Sequence, residues 1–190
     1  MSNDNGPRPR AWETISAGAV QTLGIVGLQK VTRKSPRTGQ IGVFDVMHSP
    51  DWVNVIALTT DDEILMIEQY RHGTGAIELE IPGGVVDPGE SPEDAACREL
   101  LEETGYAGSR PCLLGVSHPN PAFMNNCCST WLVENAERVA EPSLDPEEDI
   151  RTIHFPVSEI PNLIGLGEIT HAVVIAALMH WTVKRELSQP

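Results

Sequence analysis

The stretch from Ser91 to Gly105 dictates a helix with three glutamates on one side. Ser91 is a cap residue. Pro92 suits the first helical position, where a backbone N–H would go unpaired anyway, and Glu93 and Asp94 sit at the positive end of the helix dipole. Gly105 is a natural stop, since glycine takes the left-handed conformation at a helix end cheaply. At ~100° per residue, Glu99, Glu102 and Glu103 share a sector of ~100°, and Cys97, Leu100 and Leu101 lie opposite. The apolar side is expected to pack on a sheet, with Cys97 as a small core thiol. Like charges three and four residues apart cost roughly 0.2–0.5 kcal/mol per pair. A divalent cation reverses that penalty, and carboxylate oxygens are what Mg²⁺ or Mn²⁺ prefers.

The helix completes a longer pattern. Gly84 is followed by five residues and Glu90, then by seven more and Arg98-Glu99-Leu100-Leu101-Glu102-Glu103-Thr104-Gly105-Tyr106. This resembles, position by position, the box of the Nudix hydrolases, which cleave a nucleoside diphosphate linked to another moiety. Tyr106 stands where the family pattern has a bulky aliphatic residue.

The rest of the chain sets the context. At 190 residues and 41% hydrophobic content it can core one domain with a small extension, and no apolar run approaches the ~20 residues of a membrane span. Residues 1–20 read as a flexible leader without a hydrophobic signal segment, so a cytoplasmic protein is the expectation. Cys97, Cys112, Cys127 and Cys128 show neither zinc-ligand spacing nor a disulfide framework. A net charge of −14 argues against nucleic acid, whose phosphates need clustered Lys and Arg.

Strands are expected over 23–31 and 41–48, joined by a turn at 35–40, then over 53–60, 64–70, 77–81, 113–116, 130–133 and 153–155. A short helix is expected within 156–163. A final one spans 170–186, where Ala172, Val173, Ala176, Met179 and Val183 recur at helical spacing. The fold class is α/β, a mixed sheet with helices on both faces. Residues 21–48 form a small N-terminal β extension and 49–190 the main domain. The resemblance implies the Nudix α/β/α sandwich, with the extension as a dimerisation arm and a homodimer as the assembly.

Outside the box, the chain resembles the ADP-ribose and nucleoside diphosphate sugar pyrophosphatase branch. Gln69-Tyr70-Arg71 closes a strand as in that branch, Glu80-Ile81-Pro82-Gly83-Gly84 is similar to its Glu-Leu-Pro-Ala-Gly entry, and Pro121 lies fifteen residues beyond Tyr106. Glu147-Glu148-Asp149-Ile150-Arg151 resembles its acidic loop, whereas the segment from Ser117 to Asn126 is Asn-rich where typical ADP-ribose enzymes carry a Ser-Pro-Gly-type loop.

The resemblance implies Mg²⁺-dependent hydrolysis of a nucleoside diphosphate sugar, ADP-ribose or a relative, to a nucleoside monophosphate and a sugar phosphate. Mn²⁺ is an alternative cation. Gly83, Glu99, Glu102 and Glu103 are the expected metal ligands, Glu102 counting also as catalytic. Glu148 or Glu147 is the expected general base. Arg71, Glu80, Asn125 and Asn126 are expected at the substrate, since forked Arg donors match phosphate and side-chain amides suit sugar hydroxyls or a base edge. Arg33 is either a solvated charge of a basic turn or a phosphate contact, and Glu90 is expected to pair with Arg98. Alternatives are another Nudix substrate (an oxidised nucleoside triphosphate, a dinucleoside polyphosphate or a coenzyme A) and a non-catalytic module that binds a nucleotide sugar.

Overall fold

The computed structural model describes residues 8–187, which fall into two compact units. The first holds the described residues through Ser49 together with Asn120–Asn125. Four antiparallel strands build it: β1 (Glu13–Ala17), β2 (Gln21–Leu23), β3 (Val26–Lys34) and β4 (Ile41–His48), with β3 central. The long β3–β4 ribbon runs in unbroken register from Gly27↔His48 to Lys34↔Ile41. Ser35 closes its turn, its N–H donating to the Gln40 carbonyl at 2.8 Å.

The segment 1–20, expected as leader, therefore contains a strand. β1 gains its order from β3, pairing Glu13 with Lys34 and Ala17 with Val31. All five of its residues are exposed, so no alternation of apolar and polar residues announces it. Residues 1–7 of that expectation lie outside the described residues.

The second unit, Pro50–Pro119 with residues from Asn126 onward, is an α/β/α sandwich. One mixed sheet has the order β10 (Cys112–Ser117), β11 (Cys128–Val133), β5 (Trp52–Ala57) and β8 (Gly83–Val85), with β11 parallel to β5. An antiparallel sheet places β6 (Glu63–Arg71) between β13 (Ile150–Pro156) and β7 (Ala76–Glu80). Two-residue strands β9 (Tyr106–Ala107) and β12 (Glu137–Arg138) pair with each other. The helices are α1 (Pro92–Thr104), α2 (Ile160–Leu166) and α3 (Ala172–Leu187).

Alternation along the central strands feeds two cores. Val53, Val55 and Ala57 of β5 and Leu65 of β6 pack against Ala95, Ala96 and Leu100 of α1. Their neighbours Ile56, Ile64 and Met66 point the other way, onto Ile160 of α2 and Val174, Ala177, Leu178 and Trp181 of α3. Each fully buried Ile or Leu contributes roughly 2 kcal/mol.

α1 starts and stops as the sequence predicts. Ser91 Oγ accepts the Asp94 N–H at 3.1 Å, and Gly105 takes φ 75°, its N–H donating to the Leu101 carbonyl. The buried face is a correction. Cys97 and Leu101 are exposed, and Ala95, Ala96, Leu100, Glu103 and Thr104 are buried instead. Two alanines let the helix approach β5 closely, which turns Cys97 outward and carries Glu103 into the packed side.

Candidate active site

The hairpin of β6 and β7 supplies half of the site. Ile67 is opposite Glu80 and Gln69 opposite Glu78, so Gln69, Arg71, Glu78 and Glu80 project from one face. Arg71 grips Glu80 with a fork: Nε donates to Oε1 at 2.6 Å and Nη2 to Oε2 at 2.9 Å. His171, just ahead of α3, places Nδ1 2.8 Å from the same Oε2, and the neighbouring Thr170 hydroxyl donates to Glu78 at 2.7 Å. The Glu80 side chain is only 3% exposed. Burial alone would raise its carboxyl, but the bonds from Arg71 and His171 outweigh it and hold the pKa at about 2. The Glu80 bond raises Arg71 in turn, against burial, and the charges of Glu103 and Glu148 act on it in the same direction.

The other half comes from β8 and α1. A side chain on Gly83 would strike the Val53 carbonyl, and one on Gly84 the Glu99 carboxylate, so strand and helix approach here as only glycine permits. The Gly83 N–H donates to Glu103 Oε2 at 2.9 Å. Burial pushes the Glu103 carboxyl well above the usual carboxylate range. The Gly83 bond opposes this, and the negative charges of Glu99 and Glu148 push it further up. Glu99 is raised as well, first by burial and, against Arg98, by Glu102 and Glu148.

Arg98 ties this half together. Its Nε and Nη2 hold both oxygens of Glu90 at 2.9 Å, as expected from the sequence, and Nη2 also reaches the Val85 carbonyl at 2.9 Å. Nη1 bonds Glu99 at 2.9 Å and Glu102 at 3.1 Å. Among the described residues no three His, Cys, Asp or Glu side chains form a ready-made metal cage. Glu99 and Glu102 are held by a guanidinium and Glu103 by a backbone N–H.

The sequence-predicted residues divide clearly. Arg71, Glu80, Gly83, Glu99, Glu102 and Glu103 gather around the two halves just described, and Glu148 faces Glu99, Glu103 and Arg71 electrostatically. Glu148 sits in a turn in which its own carboxylate accepts the Asp145 N–H at 3.1 Å. Glu147, its neighbour, is exposed. Asn126 is buried, with Nδ2 donating to the Pro50 carbonyl at 3.0 Å and Oδ1 without a hydrogen-bond partner among the described residues. Asn125 belongs to the N-terminal unit, where its amide bonds the Ser49 N–H and His48. Arg33 lies there too, exposed on β3 opposite Thr14 and Gly42. Sequence reasoning missed Thr170 and His171. Their only signal was a polar pair at the mouth of a helix.

A NUDIX domain matches residues 50–178. The chain is 30% identical over 170 residues to an ADP-ribose pyrophosphatase of Mycobacterium tuberculosis, covering 88% of this chain and 82% of that protein. It is 33% identical over 178 residues to a mouse (Mus musculus) ADP-sugar pyrophosphatase, covering 89% and 71%. A crystal structure of an ADP compounds hydrolase superposes with a TM-score of 0.81 at 22% identity, covering 96% of this chain and 97% of that one, which establishes the common fold. No helix of the described residues is long and apolar enough to cross a membrane. The chain belongs to the NUDIX family, as a pyrophosphatase-type hydrolase related to the ADP-ribose and ADP-sugar pyrophosphatases.

Proposed function

We propose that this hydrolase cleaves the pyrophosphate bond of a nucleoside diphosphate sugar, ADP-ribose or a close relative, with Mg²⁺ or Mn²⁺, giving a nucleoside monophosphate and a sugar phosphate. The observation that carries the reading is the meeting of two opposite features. A forked, charge-fixed Arg71 stands beside the carboxylates of Glu103 and Glu148. An arginine alone would bind any anion. Acids alone would repel a diphosphate.

The donor set fits a hard divalent cation. Glu103 and Glu99 are both disfavoured as bare carboxylates by burial and by their neighbours, and positive charge among them relieves that strain. Glu99, Glu102, Glu103 and the Gly83 carbonyl would hold it. A bound cation of this kind polarises a phosphoryl oxygen and makes a water more acidic. Arg71 orients the diphosphate through its phosphate oxygens. Glu148, or Glu147 beside it, takes the proton of the attacking water as its oxygen bonds to phosphorus and the bridging P–O bond breaks, releasing the second phosphate. Arg98 keeps Glu99 and Glu102 in place from behind, a structural role. Asn126, whose Oδ1 has no hydrogen-bond partner among the described residues, is assigned to recognition of sugar or base.

The same reading includes a cytoplasmic homodimer joined through the N-terminal unit. Ile15, Ile41, Val43 and Phe44 are exposed on that small sheet and Ile25 in the turn between β2 and β3, apolar surface of the kind that marks an interaction site.

The Asn-rich segment keeps other nucleotide sugars in play. Product analysis with ADP-ribose, GDP-mannose and UDP-glucose in Mg²⁺ tests the assignment. Release of a monophosphate and a sugar phosphate is the expected result. Pyrophosphate release from triphosphates would move the protein to another Nudix substrate class, and tight binding without turnover would make it a sensing module.

A further inference from the structure

Glu80 has two partners, and the second is unassigned. Arg71 and His171 approach the Glu80 carboxylate from different elements, the end of β6 and the start of α3, and share Oε2. His171 is held from below. Its carbonyl accepts the Ile175 N–H at 3.0 Å, the first turn of α3, and the helix is anchored next door by buried Val173 and Val174. Asn54 of β5 also donates to the Val173 carbonyl, at 3.3 Å. The ring is therefore carried by a helix fixed in the core, whereas Glu80 and Arg71 stand on a hairpin.

Arg71 spends Nε and Nη2 on Glu80, and among the described residues Nη1 makes no hydrogen bond. That nitrogen's direction depends on where the Glu80 carboxylate is held. A carboxylate gripped only by Arg71 could rotate with it as a pair. One gripped also by His171 cannot, because the three bonds reach it from two separate elements.

We propose that His171 is a positioning residue for substrate binding: it locks the Glu80 carboxylate so that Arg71 presents Nη1 to a phosphate of the nucleotide. This rests on the reading of Arg71 as a phosphate clamp. His171 acts through Glu80 and Arg71 and does not itself touch the substrate. Thr170, which bonds Glu78 rather than Glu80, has no part in the lock.

The test is equilibrium binding to the whole chain, in Mg²⁺, of an ADP-ribose analogue whose bridging oxygen between the phosphates is replaced by methylene, which blocks turnover. His171→Ala is expected to bind about tenfold more weakly, the loss of one charge-assisted hydrogen bond's worth of order. His171→Asn returns an N–H donor at the δ position and is expected to recover affinity to within about twofold of wild type. Arg71→Ala also binds weakly, and Arg71→Ala/His171→Ala no more weakly than Arg71→Ala alone, because the histidine acts through the arginine. Wild-type affinity in His171→Ala, or losses that multiply in the double variant, would overturn the proposal while leaving the Arg71 clamp intact. Unchanged binding in Arg71→Ala, or a wild-type protein that does not bind the analogue, would instead remove the substrate reading and the lock with it.

Discussion

The Glu103 carboxylate accepts the backbone N–H of Gly83 at 2.9 Å, joining the last turn of α1 to the strand end that opens the box. Glu103 is 3% exposed and its carboxyl is pushed well above the usual range, chiefly by burial. A side chain so placed is a poor choice for stability and a good one for holding a cation. Glu103→Gln keeps the shape, and the amide oxygen still accepts the Gly83 N–H, so thermal unfolding is expected at or above the wild-type temperature. Turnover of ADP-ribose in Mg²⁺ falls by at least about 100-fold, in the range seen when a group stabilising transition-state charge is removed. Wild-type protein also gains about 2.7 kcal/mol when Mg²⁺ or Mn²⁺ reaches 100 times its Kd, and the variant loses most of that gain. Near-normal activity in Glu103→Gln would sink the assignment of Glu103 as a ligand.

Gly83 and Gly84 make a second, sharper contrast. An added methyl group at Gly83 meets the Val53 carbonyl, which belongs to the β5 backbone and cannot move cheaply. Gly83→Ala is therefore expected to destabilise by about 1–3 kcal/mol, visible as a lower Tm. At Gly84 the obstacle is the flexible end of Glu99. Gly84→Ala should lose less stability than Gly83→Ala, since the end of a side chain can give way where a strand backbone cannot, yet lose activity because Glu99 is displaced. Equal losses of stability in the two variants would contradict this division.

How far the sequence reaches is clearest on α1. Its ends were legible because caps are local chemistry: Ser91, Pro92 and Gly105 act within a few residues of themselves. Its packed face was not, because periodicity gives the angles between side chains and leaves open which sector meets the sheet. Ala95 and Ala96 decided that by being small, and Cys97 and Leu101 were left outside. β1 escaped notice for a related reason, being ordered entirely by its neighbour β3. In the site, the box acids were readable from their spacing, whereas Arg71 and Glu80 stood out only through the resemblance to the pyrophosphatase branch. His171 stood out by neither, since its partner Glu80 lies ninety-one residues away and nothing local marks the pair.

Exposed Ile41 and Val43 on β4 carry the prediction about assembly. Their relative exposures are 64% and 63%, high for β-branched residues that favour half-buried sheet surfaces. If this sheet is the dimer arm, Ile41→Glu/Val43→Glu places two like charges on the shared face and converts a dimer of twice 20.7 kDa into a 20.7 kDa monomer. Light scattering coupled to size exclusion reads this directly, and the variant should unfold as cooperatively as wild type. A wild-type protein that already runs as a monomer at micromolar concentration removes the arm from the proposal.

Glu80 gives the pH dependence, and its sign follows from the partners. The unfolded carboxyl titrates near 4.3, and the folded one at about 2 because Arg71 and His171 outweigh the effect of burial. A group depressed on folding contributes its stability in full above the unfolded value and loses it as pH falls toward the folded one. The contribution at neutral pH is roughly 3 kcal/mol, and it should disappear progressively between about pH 5 and pH 2. Glu80→Gln cannot titrate, so the difference in unfolding free energy between wild type and this variant is expected to be largest at neutral pH. It should shrink across that acid window. Denaturant melts at a series of pH values measure it. A difference that stays constant down to pH 3 would mean that Glu80 is not held ionised by its two partners, and the forked pair at 2.6 and 2.9 Å would then owe its geometry to something other than charge.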